Sequence, residues 1–445
     1  MSVRSLRSIA LHGIALAATA FSLAHCAPAD DAADDPVAGD ENAFVGVKAE
    51  DTEPEPAFED DPTLRDEAAG GGICGGARPT CQDATNTSLS ENAGLRPIEG
   101  CAFHLGDRDA WQKNGALVDA LSKKLAVVSV GDVLADANRD ASELDRLSKV
   151  ADFRQGFKWN LEDTLSTKWW PQGITGSGDA TATGLVDGKR VLLVSSYDKG
   201  DRGVRIALTD ITNPKDVKYR FALLVTVRDD NGRPELDPVP VHAGGLVWYG
   251  RYLYVPDTGR GFRVFDMERI LRVPDGGDNI GFNASTGKYS AADYRYVIPQ
   301  VNDYQLSASC KIVFSFASLD RSTTPHSMIS GEYKKGNEGR LVRWYLDPAT
   351  DKLAAPFYAR EAHFAQQTRI QGALSWKGTW WVQSAAQSLP FDGELYRLGK
   401  NARSKGFEQP PGVEDLYHDP TTGLLWSATE FPGFRYVWAA PLSAY

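Results

Sequence analysis

The pattern that most restricts this chain is a hairpin written five times. Each copy is a short apolar strand, a turn, and a second strand with an arginine near its start. The copies are VLLVSSYD (191–198) with GVRI (203–206), YLYVPD (252–257) with GFRV (261–264), and SMISGE (327–332) with RLVRW (340–344). Two more follow: TWWVQS (379–384) with GELYR (393–397), and LLWSATE (424–430) with GFRY (433–436). Runs rich in Val, Tyr, Trp and Phe, bounded by Gly, Asp, Asn and Pro, are strand and turn signals. Their recurrence makes the chain a repeat protein before any other property is considered.

Each hairpin follows another short segment. These are PQGIT (171–175), VHAGGL (241–246), VFSF (313–316), IQGAL (370–374) and VEDLY (413–417). Fourth strands are expected at YRFALLV (219–225) and YRYVI (294–298). Three or four short antiparallel strands per unit describe propeller blades. The expected fold is therefore an all-β β-propeller of about five blades, with six or seven as alternatives. The last unit ends after a third strand, so a strand from the N-terminal side is expected to complete it, either LAVVSV (125–130) or a segment near Phe157. Residues 107–147 otherwise read as partly helical, with Leu117, Leu121 and Leu125 at a spacing of four.

The segments WWPQGIT, YDKGDRGVR, HAGGLVWYGRYLYVPDTGRGFRVFD, SLDRSTTP, QGALSWKGTWW and ATEFPGFRYVW resemble a family of exported bacterial β-propeller proteins without an assigned activity. The resemblance covers roughly residues 155–445 and implies fold and compartment, but no catalytic residues. The first-strand segments also show a faint likeness to the gluconolactonase and paraoxonase-like propellers, which hold a calcium at the axis. Of the acidic ligands that such a site uses, only Glu414 matches in type. Calcium is thus the one cofactor that this likeness suggests.

The N-terminus points to export. Arg4 and Arg7 precede an apolar run over 9–23, too short to span a bilayer comfortably. The run ends in Leu-Ala-His-Cys at 23–26, which resembles the bacterial lipoprotein signal with Cys26 as the lipidated residue. His25 departs from the small residue normal there, which leaves open cleavage near Ala24 or Ala27 and a soluble secreted product. Residues 27–72 carry 15 acidic and 2 basic side chains and are read as a disordered acidic linker. Setting aside that linker and the two N-terminal arginines leaves the rest of the chain neutral, although the whole is −11. A neutral body argues against a nucleic-acid partner. The expected division is a signal peptide at 1–26, the linker at 27–72, a disulfide-bearing, partly helical segment at 73–150, and the propeller at 151–445. The chain is expected to be a monomer that touches a membrane only through a lipid anchor.

Beyond Cys26 there are four cysteines: Cys74, Cys81, Cys101 and Cys310. An even number in an exported chain suggests two disulfides. Of the three pairings, Cys74 with Cys81 closes a small loop and leaves Cys101 to tie the N-terminal segment to the body at Cys310.

The repeat also places candidate ligand-binding residues. In a four-stranded antiparallel blade, the start of the innermost strand and the turn between strands two and three lie on the same face. Gln172, His242, Gln371, Glu414 and Asp415 are therefore expected at the axis. Asp198, Asp257, Glu332 and Glu430 are expected to ring them as a rim. The recurring arginines 205, 263, 343, 397 and 435 read as cross-strand partners of the rim carboxylates, each pair worth roughly 0.2–1 kcal/mol. The glycines beside Gln172, His242 and Gln371 read as permitting close approach at the axis. His242 stands where the other units have Gln, Gln and Glu, so it is the candidate base or metal ligand. His326 is expected at the opposite end of its blade. Most tryptophans are expected to fill the wedges between blades.

No nucleophile elbow, zinc-protease helix, phosphate loop or dinucleotide fingerprint is present. The expected function is an extracytoplasmic binding propeller whose axial face takes a small molecule, glycan or protein. The alternative is a hydrolase or lyase built on His242 and Glu414, with or without calcium.

Overall fold

The computed structural model describes Cys74, residues 80–82 and residues 88–445, except 201, 275, 309, 386–391, 400 and 401. The signal sequence, Cys26 and the acidic linker lie outside the described residues.

The expected β-propeller is the observed fold. Five four-stranded antiparallel units lie among the described residues. Unit 1 comprises Trp169–Gly176, Val191–Asp198, Val204–Asp210 and Lys218–Asp230. Unit 2 comprises Val247–Tyr249, Tyr252–Asp257, Gly261–Asp266 and Tyr296–Leu306. Unit 3 comprises Phe316–Asp320, Ser327–Gly331, Arg340–Asp347 and Glu361–Phe364. Unit 4 comprises Ile370–Trp376, Thr379–Ser384, Gly393–Gly399 and Ala402–Gln409. Unit 5 has Val413–Asp419, Leu424–Thr429 and Tyr436–Pro441, and takes its fourth strand, Gln155–Lys158, from the N-terminal side. Phe157 pairs with Val437 in that closure. The other closing candidate, Ala126–Val128, instead pairs with Ile270–Arg272 in an insertion of unit 2.

The apolar residues show why the units form a ring. Among the described residues five buried clusters join neighbouring units. Leu193 and Ile206 meet Leu253 and Phe265 between units 1 and 2. Val264 and Tyr254 meet Met328 and Trp344 between units 2 and 3. Ile329 meets Trp380 and Val382 between units 3 and 4. Trp381 meets Leu425 and Trp438 between units 4 and 5. Trp426 and Val437 meet Leu192 and Val194 between units 5 and 1. Successive residues of a strand point to opposite faces. Both faces of a blade are covered by neighbours, so second strands read as nearly continuous apolar runs. The pair Trp380-Trp381 is the clearest case: one indole fills each wedge. Each such side chain contributes roughly 1.5–3 kcal/mol when buried.

At the axis the inner strands meet backbone to backbone. A Cβ on Gly173 would lie 2.5 Å from the Gly245 carbonyl carbon, and one on Gly245 would lie 2.0 Å from the Ala317 nitrogen. A Cβ on Gly372 would lie 2.9 Å from Asp415 Cα. Between units 3 and 4 the contact is a hydrogen bond from Ser318 Oγ to the Ala373 carbonyl. The glycine segments are the points where inner strands touch.

Several local expectations are corrected. The first strand of unit 3 begins at Phe316 and that of unit 2 at Val247, so VFSF (313–316) and VHAGGL (241–246) are their approaches and not the strands themselves. The fourth strand of unit 2 begins at Tyr296. Helix α1 (Trp111–Ser122) stops before Leu125, and residues 107–147 also hold a second helix, α2 (Val130–Ala135), and short strands at Arg139–Asp140 and Ser142–Glu143. The disulfides join Cys74 to Cys101 and Cys81 to Cys310, not the nearest cysteines in sequence. Strand Arg96–Ile98 pairs with the outer strand of unit 3, which docks the N-terminal segment on the propeller. Among the described residues no helix is long and apolar enough to cross a membrane.

Candidate functional site

The axial cluster is best built from Glu430. It ends the second strand of unit 5, where the chain turns through Phe431-Pro432-Gly433 towards the third strand. Its carboxyl accepts a hydrogen bond from Gln172 Nε2 at 3.0 Å and lies beside the Glu414 carboxyl. Glu414 in turn accepts from Gln371 Nε2 at 3.4 Å. Residues of units 1, 4 and 5 thus form one chain, Gln172–Glu430–Glu414–Gln371. Gln172 and Glu414 are buried, whereas Gln371 and Glu430 remain partly exposed.

Burial is the main cause that pushes the Glu430 carboxyl up, to about 7, against the opposing pull of Arg435 and the Gln172 amide. Arg435 is fully buried behind it. Its Nε donates to the Glu430 carbonyl at 2.7 Å and its terminal nitrogen to the Asp163 carbonyl at 2.7 Å. Burial, with Arg205 nearby, lowers the Arg435 guanidinium to about 10. Near neutral pH the pair can therefore both donate and accept a hydrogen bond.

His242 packs its ring on Tyr197, with centroids 4.5 Å apart and planes inclined by 35°, and both are partly exposed. Beside Glu430, Trp170 meets Phe431 edge-on at 6.4 Å, and Lys199 Nζ sits 3.9 Å above the Trp170 ring. An amide and carboxyl chain flanked by aromatic rings is an arrangement for polar groups on a carbon skeleton.

Asp415 does a different job. It is completely buried and accepts from the backbone nitrogens of Ile174 at 3.2 Å and Leu246 at 3.3 Å. One carboxyl thus stitches together the inner strands of units 5, 1 and 2, and burial raises its pKa well above the ordinary range.

The rim carboxylates divide. Asp257 takes Arg263 Nε at 2.7 Å, the cross-strand pair that the repeat suggests. Glu332 is buried and occupied by Arg340 Nε at 2.7 Å, Arg340 Nη2 at 2.8 Å and the Val313 nitrogen at 3.1 Å. Asp198 accepts from the Gly200 nitrogen at 2.8 Å and lies 3.8 Å from Lys168. The five arginines do not share one role. Arg205 binds Asp163, Arg343 binds Asp320 and Glu361, Arg435 binds backbone carbonyls, and Arg397 is exposed. The repeat fixes where the arginine starts, but local loops supply its partner. His326 lies between the first and second strands of unit 3 and meets the Tyr249 hydroxyl at 2.9 Å.

Sequence reasoning placed Glu430 on the outer rim, apart from Gln172, and the structure brings the two within hydrogen-bonding distance. The available signal was its arginine: Glu332 has one eight residues on, whereas Glu430 has one only five residues on and closer to the turn. Among the described residues no group of three or more His, Cys, Asp or Glu is gathered as a metal site.

No family model and no curated protein matches this chain. Solved structures similar to it include the hydrazine synthase of Kuenenia stuttgartiensis, at 11% identity and a TM-score of 0.29, over 59% of this chain and 75% of that one. A GH43_1 enzyme from Xanthomonas citri is similar at 10% identity and a TM-score of 0.31, over 73% of this chain and 93% of that one. Overlaps this slight carry no argument about chemistry, which rests on the residues themselves.

Proposed function

We propose that this is an extracytoplasmic propeller whose axial face binds a small hydroxyl-rich molecule such as a glycan unit. The observation that carries the reading is the Gln172–Glu430–Glu414–Gln371 chain, partly open to solvent and flanked by His242 on Tyr197 and by Trp170. A protonated carboxyl donates to a sugar oxygen, its ionised partner accepts from a hydroxyl, and the amides do both. Export is part of the proposal. Arg4, Arg7, the apolar run and Cys26 support a lipoprotein-type leader, and two disulfides suit an oxidising compartment.

Titration calorimetry of the whole chain against neutral mono- and oligosaccharides tests the reading. Saturable binding is expected, weakened at least tenfold by Glu414→Gln and by Gln371→Ala with little change in melting temperature. Binding that survives both substitutions at full strength removes the axial site.

One observation favours a second reading, acid–base catalysis by the same pair. A carboxyl that titrates near 7 is matched to proton transfer at neutral pH. That reading requires turnover of a bound glycan that disappears in Glu430→Gln while binding persists.

A further inference from the structure

Away from the axis, a cavity of about 400 Å³ opens between units 1 and 2, where their fourth strands run parallel and pair Leu223 with Val297. Six cationic side chains line it: Arg139, Lys168, Arg202, Arg205, Arg220 and Arg295. The carboxylates on its wall are Glu162, Asp163 and Asp293. Excess positive charge is unexpected in a body whose formal charge is zero.

The ion pairs show how thinly that charge is compensated. Asp163 serves two guanidiniums, Arg205 at 2.8 Å and Arg139 at 3.2 Å, and also accepts from the Tyr219 hydroxyl at 2.7 Å. Asp136 likewise serves two, Arg295 at 3.5 Å and Arg220 at 3.7 Å, and accepts from the Tyr296 hydroxyl at 2.7 Å. Two carboxylates are therefore divided among four guanidiniums. Lys168 lies 3.8 Å from Asp198, and Arg202 is exposed. Arg205 is buried, held between the Phe221 ring at 3.6 Å and the Trp169 ring at 4.8 Å, so its position is set by packing.

Like charges gathered in a concave, partly dry site repel more strongly than on an open surface. Guanidiniums present planar paired donors that match carboxylate, sulfate and phosphate oxygens. The cavity has the volume of a small-molecule site.

We propose that this cavity is a second binding site, separate from the axial one, for an anionic ligand of about monosaccharide size bearing at least one carboxylate, sulfate or phosphate group. Arg220 and Arg295 line the cavity and hold the oxyanion, and Asp136, the carboxylate that both reach, lies outside its lining. Lys168 and Arg202 add charge, and Arg205 with Asp163 forms the fixed wall.

The test uses the whole chain and four probes in low-salt buffer: glucose 6-phosphate, glucuronate, inorganic sulfate and neutral glucose. One-to-one calorimetric binding of at least one anion is expected, with glucose failing to compete for the site. Affinity is expected to fall at least tenfold in Arg220→Gln and in Arg295→Gln, and to fall in the wild type as salt is raised. Glu430→Gln is expected to leave anion binding unchanged, which separates this site from the axial reading. The proposal is overturned if no anion binds, if glucose displaces the anions, or if both arginine variants bind as the wild type does while keeping its melting temperature. Lys168→Ala with Arg202→Ala provides a further check on exposed positions that the fold does not need: unchanged anion affinity there and in Arg220→Gln also overturns it.

Discussion

The turns that end the second strands of units 3 and 5 hold a glutamate at the same point of the repeat, yet the two carboxyls have opposite fates. In unit 3, Glu332 is buried, and one arginine grips it at two points, 2.7 and 2.8 Å away. Its charge is spent within the hairpin. In unit 5, Glu430 receives no side-chain donor from its own hairpin. Arg435 takes its carbonyl instead, and the carboxyl turns towards Gln172 of the neighbouring unit and Glu414 of its own inner strand. A repeat position sets where a side chain stands, and one nearby arginine decides whether it is structural or available for a ligand.

The largest effect expected from breaking this contrast is in unit 3. Arg340→Ala leaves Glu332 buried without its counterion and is expected to cost about 3–5 kcal/mol, read by denaturant unfolding. A loss below 1 kcal/mol would mean that Glu332 is less committed than its contacts indicate. The next effect is a pH dependence in unit 5. The folded protein holds the Glu430 proton up to about 7, whereas the unfolded chain releases it near the ordinary value of 4.5. This contribution to stability is full below pH 4.5 and is lost as pH rises through 7. It amounts to on the order of 2–3 kcal/mol by linkage. Glu430→Gln is expected to flatten that part of the stability profile, and an unchanged profile would refute the raised Glu430 pKa.

A smaller change sharpens the contrast. Gln172→Ala removes a donor that lowers the Glu430 pKa, so the carboxyl is expected to titrate higher in a carbon-detected NMR titration. The net stability cost is about 1 kcal/mol. The smallest effect belongs to unit 4, where Ser384 takes the place of the carboxylate and Arg397 is exposed. Arg397→Ala is expected to stay within about 0.5 kcal/mol of the parent in thermal unfolding.

Much of the architecture was legible because its signals are local. Turn residues, apolar runs and Gly-containing first strands lie within short windows, so the inner strands of units 1, 4 and 5 were located from QG and ED segments, whereas AGG marks the approach to the inner strand of unit 2. The inner strand of unit 3 was displaced because its approach, VFSF, is as apolar as the strand FASLD and has no glycine. The disulfide pairing joins Cys81 to Cys310 across 229 residues, a contact between remote segments that no spacing of cysteines encodes. The axial candidates Gln172, Gln371 and Glu414 were legible as a ring of repeat positions. The approach of Glu430 to Gln172 was not, because it depends on a donor in unit 1 and a carboxyl one strand away. The cationic cavity was the least legible feature, since its residues spread from Arg139 to Arg295 and belong to no motif.

The strand Gln155–Lys158, which completes unit 5 against Tyr436–Pro441, also sets a clock. As the chain is made, units 1 to 4 can assemble in order from neighbouring segments, but the ring cannot close until residues beyond Tyr436 are present. Until then two blade faces stay open, one on unit 1 and one where unit 5 will form, with Leu192, Val194 and Trp426 exposed. Pairing partners so remote in sequence join slowly, and exposed apolar surface of this kind invites aggregation during the wait. The N-terminal strand is thus both the last piece of the fold and the step at which a nascent chain is most in need of protection.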